Sequence, residues 1–218
     1  MFIMDGKKKS AISLLFENKG FTLIEMAIVL IIIGVIIGAV VKGKDVIKSA
    51  QQKRLYTTFA REWQMTYNNY YDRTGWILGD DDSNGNTNRD GRAGDAAPAS
   101  EANLVAQLTA IGLTPPADGP TGFSNVRTYT DGQGRQYTLT LQLDSDTNFG
   151  NFIQINSTNG IPMDLGMAWD KIVDGTRDGD TGDLRYIPNI GASPLADANW
   201  PNNVNPVAAS GVVLLLEF

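Results

Sequence analysis

Residues 21–41 form a run of 21 positions in which only Thr22 and Glu25 carry polar side chains. An apolar helix of about 20 residues spans the hydrocarbon core of a bilayer, so the stretch reads first as a membrane-spanning helix. A carboxylate in such a span costs roughly 2.5–3.5 kcal/mol at mid-helix. Glu25 sits one helical turn from the start, still within reach of the interface. In front of the run stand a small residue, Gly20, and a basic segment holding Lys7, Lys8, Lys9 and Lys19. Those lysines place the segment on the cytoplasmic side under the positive-inside rule. The short apolar piece 11–16 gives it the outline of a secretory signal, but the stronger apolar run follows Gly20 rather than preceding it.

The junction Gly20-Phe21-Thr22-Leu23-Ile24-Glu25 resembles the cleavage and methylation motif of type IV pilins and type II secretion pseudopilins. The resemblance rests on a Gly-Phe junction, a glutamate fifth in the mature chain and an apolar helix behind it. It implies that a prepilin peptidase cuts between Gly20 and Phe21, removes residues 1–20 and methylates the new Phe21 amine. It also implies that Glu25, with Thr22 beside it, serves assembly by neutralising a neighbouring subunit's N-terminal amine. Two opposite charges buried together lose far less than either alone. In the later part of the chain, Tyr70-Tyr71, Gly79-Asp80-Asp81 and Trp169-Asp170-Lys171 are similar to a subset of bacterial pilin-like proteins.

Past the span, residues 45–72 contain no Pro or Gly, and Ile47, Tyr56, Phe59, Trp63, Tyr67 and Tyr70 recur mostly at three- or four-residue steps. That is the stripe of an amphipathic helix continuing the first one, with Gly43 the expected place for a bend and the rings turned towards a sheet. Gly34 and Gly38 make a G-x-x-x-G element, a spacing that lets helices approach closely in lipid. The chain therefore divides into a leader (1–20), a transmembrane or filament-core helix (21–41), an amphipathic helix (42–72) and a head (73–218). In the head, Ser100 to Gly112 reads as a capped helix facing inward with Leu104, Leu108 and Ile111. Period-two runs at 126–130 and 137–143 flank the hairpin signal Asp131-Gly132-Gln133-Gly134. Further strands are expected at 152–155 and 212–217, and a helix at 162–173 with Leu165, Trp169 and Ile172 inward. The fold class is α+β: a long N-terminal helix packed on a small antiparallel sheet, pilin-like by resemblance.

Hydrophobic residues make up 42% of the 218 positions, enough for one head domain on the usual prior of ~100–200 residues. The net charge is −6, and the leader carries four Lys against Asp5 and Glu17, so its removal takes the chain to −8. An acidic chain argues against nucleic-acid binding as a main role. The absence of His and Cys removes the commonest general base, the thiol nucleophile, the usual transition-metal ligands and any disulfide. No enzyme is expected. Many type IV pilins close their C-terminal region with a disulfide, whereas calcium-stabilised pseudopilins do without one.

Asp80, Asp82, Asn84 and Gly85 match the opening of a calcium loop, where carboxylates two residues apart converge their oxygens in a tight turn. Asn88 and Asp90 are further candidate ligands, and Gly91 at the twelfth position excludes an ordinary EF-hand. Asp174, Asp178, Asp180 and Asp183 form a second, weaker candidate cluster for Ca2+. The competing reading of both is a solvated acidic turn.

The function expected is a structural subunit of a type IV pilus-like filament. The alternatives are a pseudopilin of a type II secretion system, or a minor or tip pilin acting as an adhesin or binding module. The expected partners are copies of the same chain, prepilin peptidase, an inner-membrane assembly platform and, before assembly, membrane lipid. The expected location is the bacterial inner membrane, then the periplasm or cell surface.

Overall fold

A computed structural model describes residues 20–80, 89–94, 101–116, 125–190, 195–201 and 210–216. The chain divides into two units, Met1–Asp45 and Val46–Phe218. Helix α1 (Leu23–Leu55) supplies the described part of the first unit almost entirely. Its apolar side chains are uncovered on every side: an 18-residue window has a mean hydropathy of 3.0 with none of it buried. A helix that is hydrophobic all round belongs in a membrane or in the core of a larger body. By length and composition this one can cross a membrane.

The helical pattern continues through Gly43, where a bend was expected. The departure from α geometry comes later, as a π-turn at Tyr56–Ala60. Helix α2 (Arg61–Thr74) then runs two residues beyond the expected end. Gly75 stops it at φ 69°, with its N–H donating to the Tyr71 carbonyl at 2.7 Å. Glycine takes that left-handed conformation without steric cost.

The second unit is built on five antiparallel strands: β1 (Val126–Thr130), β2 (Gln136–Asp146), β3 (Gly150–Ser157), β4 (Leu184–Ile187) and β5 (Gly211–Leu215). Their order across the sheet is β1-β2-β3-β5-β4. Side chains alternate along a strand, and on β2 the buried set is Tyr137, Leu139, Leu141 and Leu143. Register places Leu141 opposite Ile155 and Leu143 opposite Ile153, while Ile153 and Ile155 face Leu214 and Val212. This apolar face joins one core with Tyr56, Phe59, Trp63, Tyr67 and Tyr70. Each such side chain contributes about 1.5–3 kcal/mol by leaving water.

Helices α3 (Glu101–Ala110) and α4 (Met163–Val173) complete that core. Trp169 on α4 is fully buried and donates its indole N–H to the Gln52 carbonyl at 3.0 Å. The Gln52 amide in turn donates to the Asp164 carbonyl at 3.2 Å, and Lys48 pairs with the Asp164 carboxylate at 2.7 Å. These polar links fix the end of α1 against α4.

Two expectations need correction, and one strand was missed. Ile47 is 60% exposed and stands outside the ring stripe. Ile172 is 39% exposed, because α4 turns Leu165, Gly166, Trp169 and Asp170 inward instead. Strand β4 was not expected at all. Ser100, the expected cap of α3, lies outside the described residues.

Candidate processing and assembly site

Gly20 and Phe21 precede the first helical turn, both exposed, and nothing lies within 4 Å of a Cβ built on Gly20. The helix proper starts at Leu23, so Thr22 occupies the cap. The first N–H groups of a helix have no partner within it. Thr22 Oγ1 accepts one of them, from Glu25, at 3.3 Å. The Glu25 carboxylate reaches back to accept the Thr22 N–H at 2.7 Å and the Thr22 hydroxyl at 2.8 Å. This reciprocal arrangement is a capping box, the T-x-x-E pattern. Sequence reading treated Glu25 only as a charge. The pattern that signals its second part, Thr22 three residues before Glu25, was in plain view.

The negative end of a carboxylate is also favoured here by the helix dipole. Glu25 therefore has one carboxylate oxygen, Oε2, engaged within its own chain. Gly34 and Gly38, one turn apart on the same helix, have nothing within 4 Å of their Cβ positions. They leave a shallow place on the helix where another backbone can approach.

Residues 16–41 match the family described as the prokaryotic N-terminal methylation motif, the leader signature of type IV pilins and pseudopilins. The chain has a prepilin-type N-terminus. No curated protein and no solved structure matches it. A prepilin-type N-terminus is the mark of prepilin peptidase substrates, and the uncovered helix behind it is consistent with anchoring in the inner membrane before assembly.

In the acidic loops the described carboxylates mostly accept hydrogen bonds from their own chain. Among the described residues no three acidic side chains gather into a metal-holding group. Asp82, Asn84 and Asn88 lie outside the described residues. Asp80 is buried and accepts the N–H groups of Asp90 and Gly91 at 3.2 and 2.9 Å. Burial pushes its carboxyl above the ordinary value, against the pull of those two donors. The Asp90 carboxylate turns to the Arg92 N–H instead, at 3.0 Å.

In the second cluster, Asp174 accepts the N–H groups of Asp183 and Leu184 at 2.8 and 3.0 Å. Asp178 accepts the Thr181 hydroxyl at 2.7 Å, Asp180 accepts the Asn199 amide at 2.7 Å, and Asp183 is exposed. These four shape a loop rather than converge.

Sequence reading missed the most buried member of this region. Asp170 is fully buried on α4, and its Oδ2 accepts the Trp200 indole N–H at 2.6 Å and the Gly179 N–H at 3.1 Å. Its Oδ1, like Asp178 Oδ1, is buried without a hydrogen-bond partner. Burial raises its carboxyl above the ordinary value. The Trp200 bond opposes that, and the charges of Asp174 and Asp178 add to it. The neighbouring Trp200 ring passes so close to Gly166 that a Cβ there would fall 2.3 Å from it. The signals for Asp170 were its place beside the inward Trp169 and its membership of the Trp169-Asp170-Lys171 resemblance, neither of which marks it as buried.

Proposed function

We propose that the mature chain is a structural subunit of a type IV pilus-like filament, assembled from the bacterial inner membrane after cleavage at Gly20 and methylation of Phe21. The observation that carries this reading is the apolar surface of the first unit. It is uncovered on all sides and begins with a capped carboxylate. A simple anchor uses Glu25 only as the cap of its first turn, whereas a bundle of such helices also gives its charge a partner in the next subunit's amine. Copies of the same chain are then the principal partners, delivered by an assembly platform.

The test is fractionation of cells into membrane and sheared filament, with intact mass measured on the filament. A filament chain beginning at N-methyl-Phe21 supports the reading, and a processed chain found only in membranes overturns it. Filaments recovered from the cell surface indicate a pilus, and filaments confined to the periplasm indicate a secretion pseudopilus.

We also infer that the head takes up a calcium ion in place of a disulfide. The support is chemical: two buried carboxylate oxygens, Asp170 Oδ1 and Asp178 Oδ1, have no partner. Leaving such groups unpaired is costly. Ca2+ is a hard cation bound by six to eight oxygens, main-chain carbonyls among them. Asp80 in the other loop has both of its carboxylate oxygens engaged by main-chain N–H groups, so Asp170 and Asp178, each with one unpartnered oxygen, are the better seat.

A further inference from the structure

We propose that the groove between the end of α1 and strand β1 receives the acidic loop 174–183 of a second copy of this chain. The inference rests on the filament reading above.

Charge is strongly segregated along the second unit. Between positions 46 and 61 stand Lys48, Lys53, Arg54 and Arg61 with no acidic residue. From Glu62 to the end there are eight basic and twenty acidic residues. Lys48 is paired with Asp164 inside the chain. Arg54 has no carboxylate partner among the described residues, and it lines a groove of about 330 Å³ with Gln51, Leu55, Thr58, Arg127 and Thr128. Arg127 lies over the Phe59 ring at 5.4 Å, so the groove has one cation fixed by an aromatic face and one exposed.

Loop 174–183 is the natural complement: beside the carboxylates assigned to calcium or to main-chain donors it carries Asp180 and Asp183, against Arg177 alone. Asp183 is exposed and Asp180 half-buried, and neither has an ion pair among the described residues. The sheet order then decides how two copies meet. Strand β1 forms one edge of the sheet, and loop 174–183 runs directly into β4, which forms the other. The β4 edge is covered by its own chain, through Tyr186 N–H to the Gly179 carbonyl at 2.7 Å and Ala198 N–H to the Tyr186 carbonyl at 3.1 Å. No strand covers the β1 edge among the described residues. Complementary surfaces on opposite edges cannot pair around a two-fold axis. They associate head to tail, the interface type that generates helical filaments or rings.

The chain has no cysteine, so a disulfide trap reports one contact without background. Thr58→Cys and Asp180→Cys are placed together in one full-length chain, and sheared filaments are oxidised. The expected result is a ladder of linked multimers, absent from either single variant. In parallel, Arg54→Glu lowers filament yield at least about tenfold by placing like charges together, and Asp183→Arg in the same chain restores it. Filaments that assemble normally with no ladder, and an Arg54→Glu yield equal to wild type, overturn the docking and leave the filament reading intact. A wild-type chain that never leaves the membrane overturns the filament reading itself.

Discussion

Glu25 closes a hydrogen-bonded box on Thr22, its carboxylate 2.7 Å from the Thr22 N–H and 2.8 Å from the hydroxyl. The same carboxylate thus has an occupation before it meets any neighbour. As a cap it steadies the first turn and satisfies donors that lipid cannot. In the proposed filament its charge would meet the next subunit's amine. The two occupations are separable, because a capping box accepts Glu or Gln while an ion pair accepts only Glu.

Glu25→Gln is expected to keep the helix start and lose the charge. Glu25→Ala loses both, and Thr22→Val loses the cap but keeps the charge. Losing a cap costs about 0.5–2 kcal/mol, and breaking one half of a buried pair costs about 3–5 kcal/mol. Filament yield should therefore fall sharply in both Glu25 variants and only modestly in Thr22→Val, with membrane levels normal in all three. Wild-type filament yield from Glu25→Gln would dismiss charge pairing and leave the cap as the whole function of the residue.

Nothing lies within 4 Å of a Cβ built on Gly20, and cleavage is expected to need that open space. Gly20→Val puts a branched side chain at the scissile bond, and the precursor should accumulate in the membrane with residues 1–20 attached. Intact-mass measurement of the membrane fraction checks it. A mature mass at normal abundance would show that the peptidase does not read this position.

Calcium should raise the melting midpoint of a chain beginning at Val46, the start of the second unit, and chelator should reverse the rise. A ligand at a hundredfold excess over its Kd adds about 2.7 kcal/mol. Asp170→Asn should abolish the calcium response while Asp80→Asn preserves it. An unchanged midpoint in the wild-type unit would mean that the 174–183 loop closes without a metal.

The hairpin between β1 and β2 should make the head sensitive to acid. Asp131 accepts Arg135 Nε at 2.6 Å and the N–H groups of Gln133 and Arg135 at 2.9 Å each. Burial alone would raise its carboxyl, but these donors outweigh it and hold the value below the ordinary one. A depressed carboxyl stabilises the fold fully above its unfolded value, and the contribution fades as pH drops below that value towards the folded one. Asp131→Asn should cost about 1 kcal/mol at neutral pH, discounted because Arg135 is half exposed. It should also flatten the loss of stability below about pH 4. Thermal melts across that range decide it, and parallel profiles for the two proteins would contradict the assignment.

Much of this architecture is legible in the residues themselves. The span announces itself because every face is apolar, β2 because its apolar residues alternate, and β3 as a short apolar run that is buried on both faces. Asp131 to Gly134 marks the turn between β1 and β2. Strand β4 was hidden for a physical reason: its four residues have no periodicity to read, and their pairing is set by β5, more than twenty positions away. Asp170 was hidden because a carboxylate on an amphipathic helix ordinarily belongs to the wet face. Only the packing of Trp200 over Gly166 turns it inside. The acidic loops were legible as turns, but their oxygens mostly serve main-chain donors, which composition does not distinguish from metal ligands.

The π-turn at Tyr56–Ala60 has a consequence for how this chain tolerates change in length. A π-turn holds one residue more than an α-turn, and each helical residue advances the direction of its side chain by about 100°. The extra residue sets the phase between Gln52 before it and Trp63, Tyr67 and Tyr70 after it, all of which are buried. Deleting one residue within it would leave a regular helix, locally more comfortable, with every later ring swung out of the core. Tuning is thus stored in a count rather than in a side chain, and substitutions there should be far better endured than insertions or deletions.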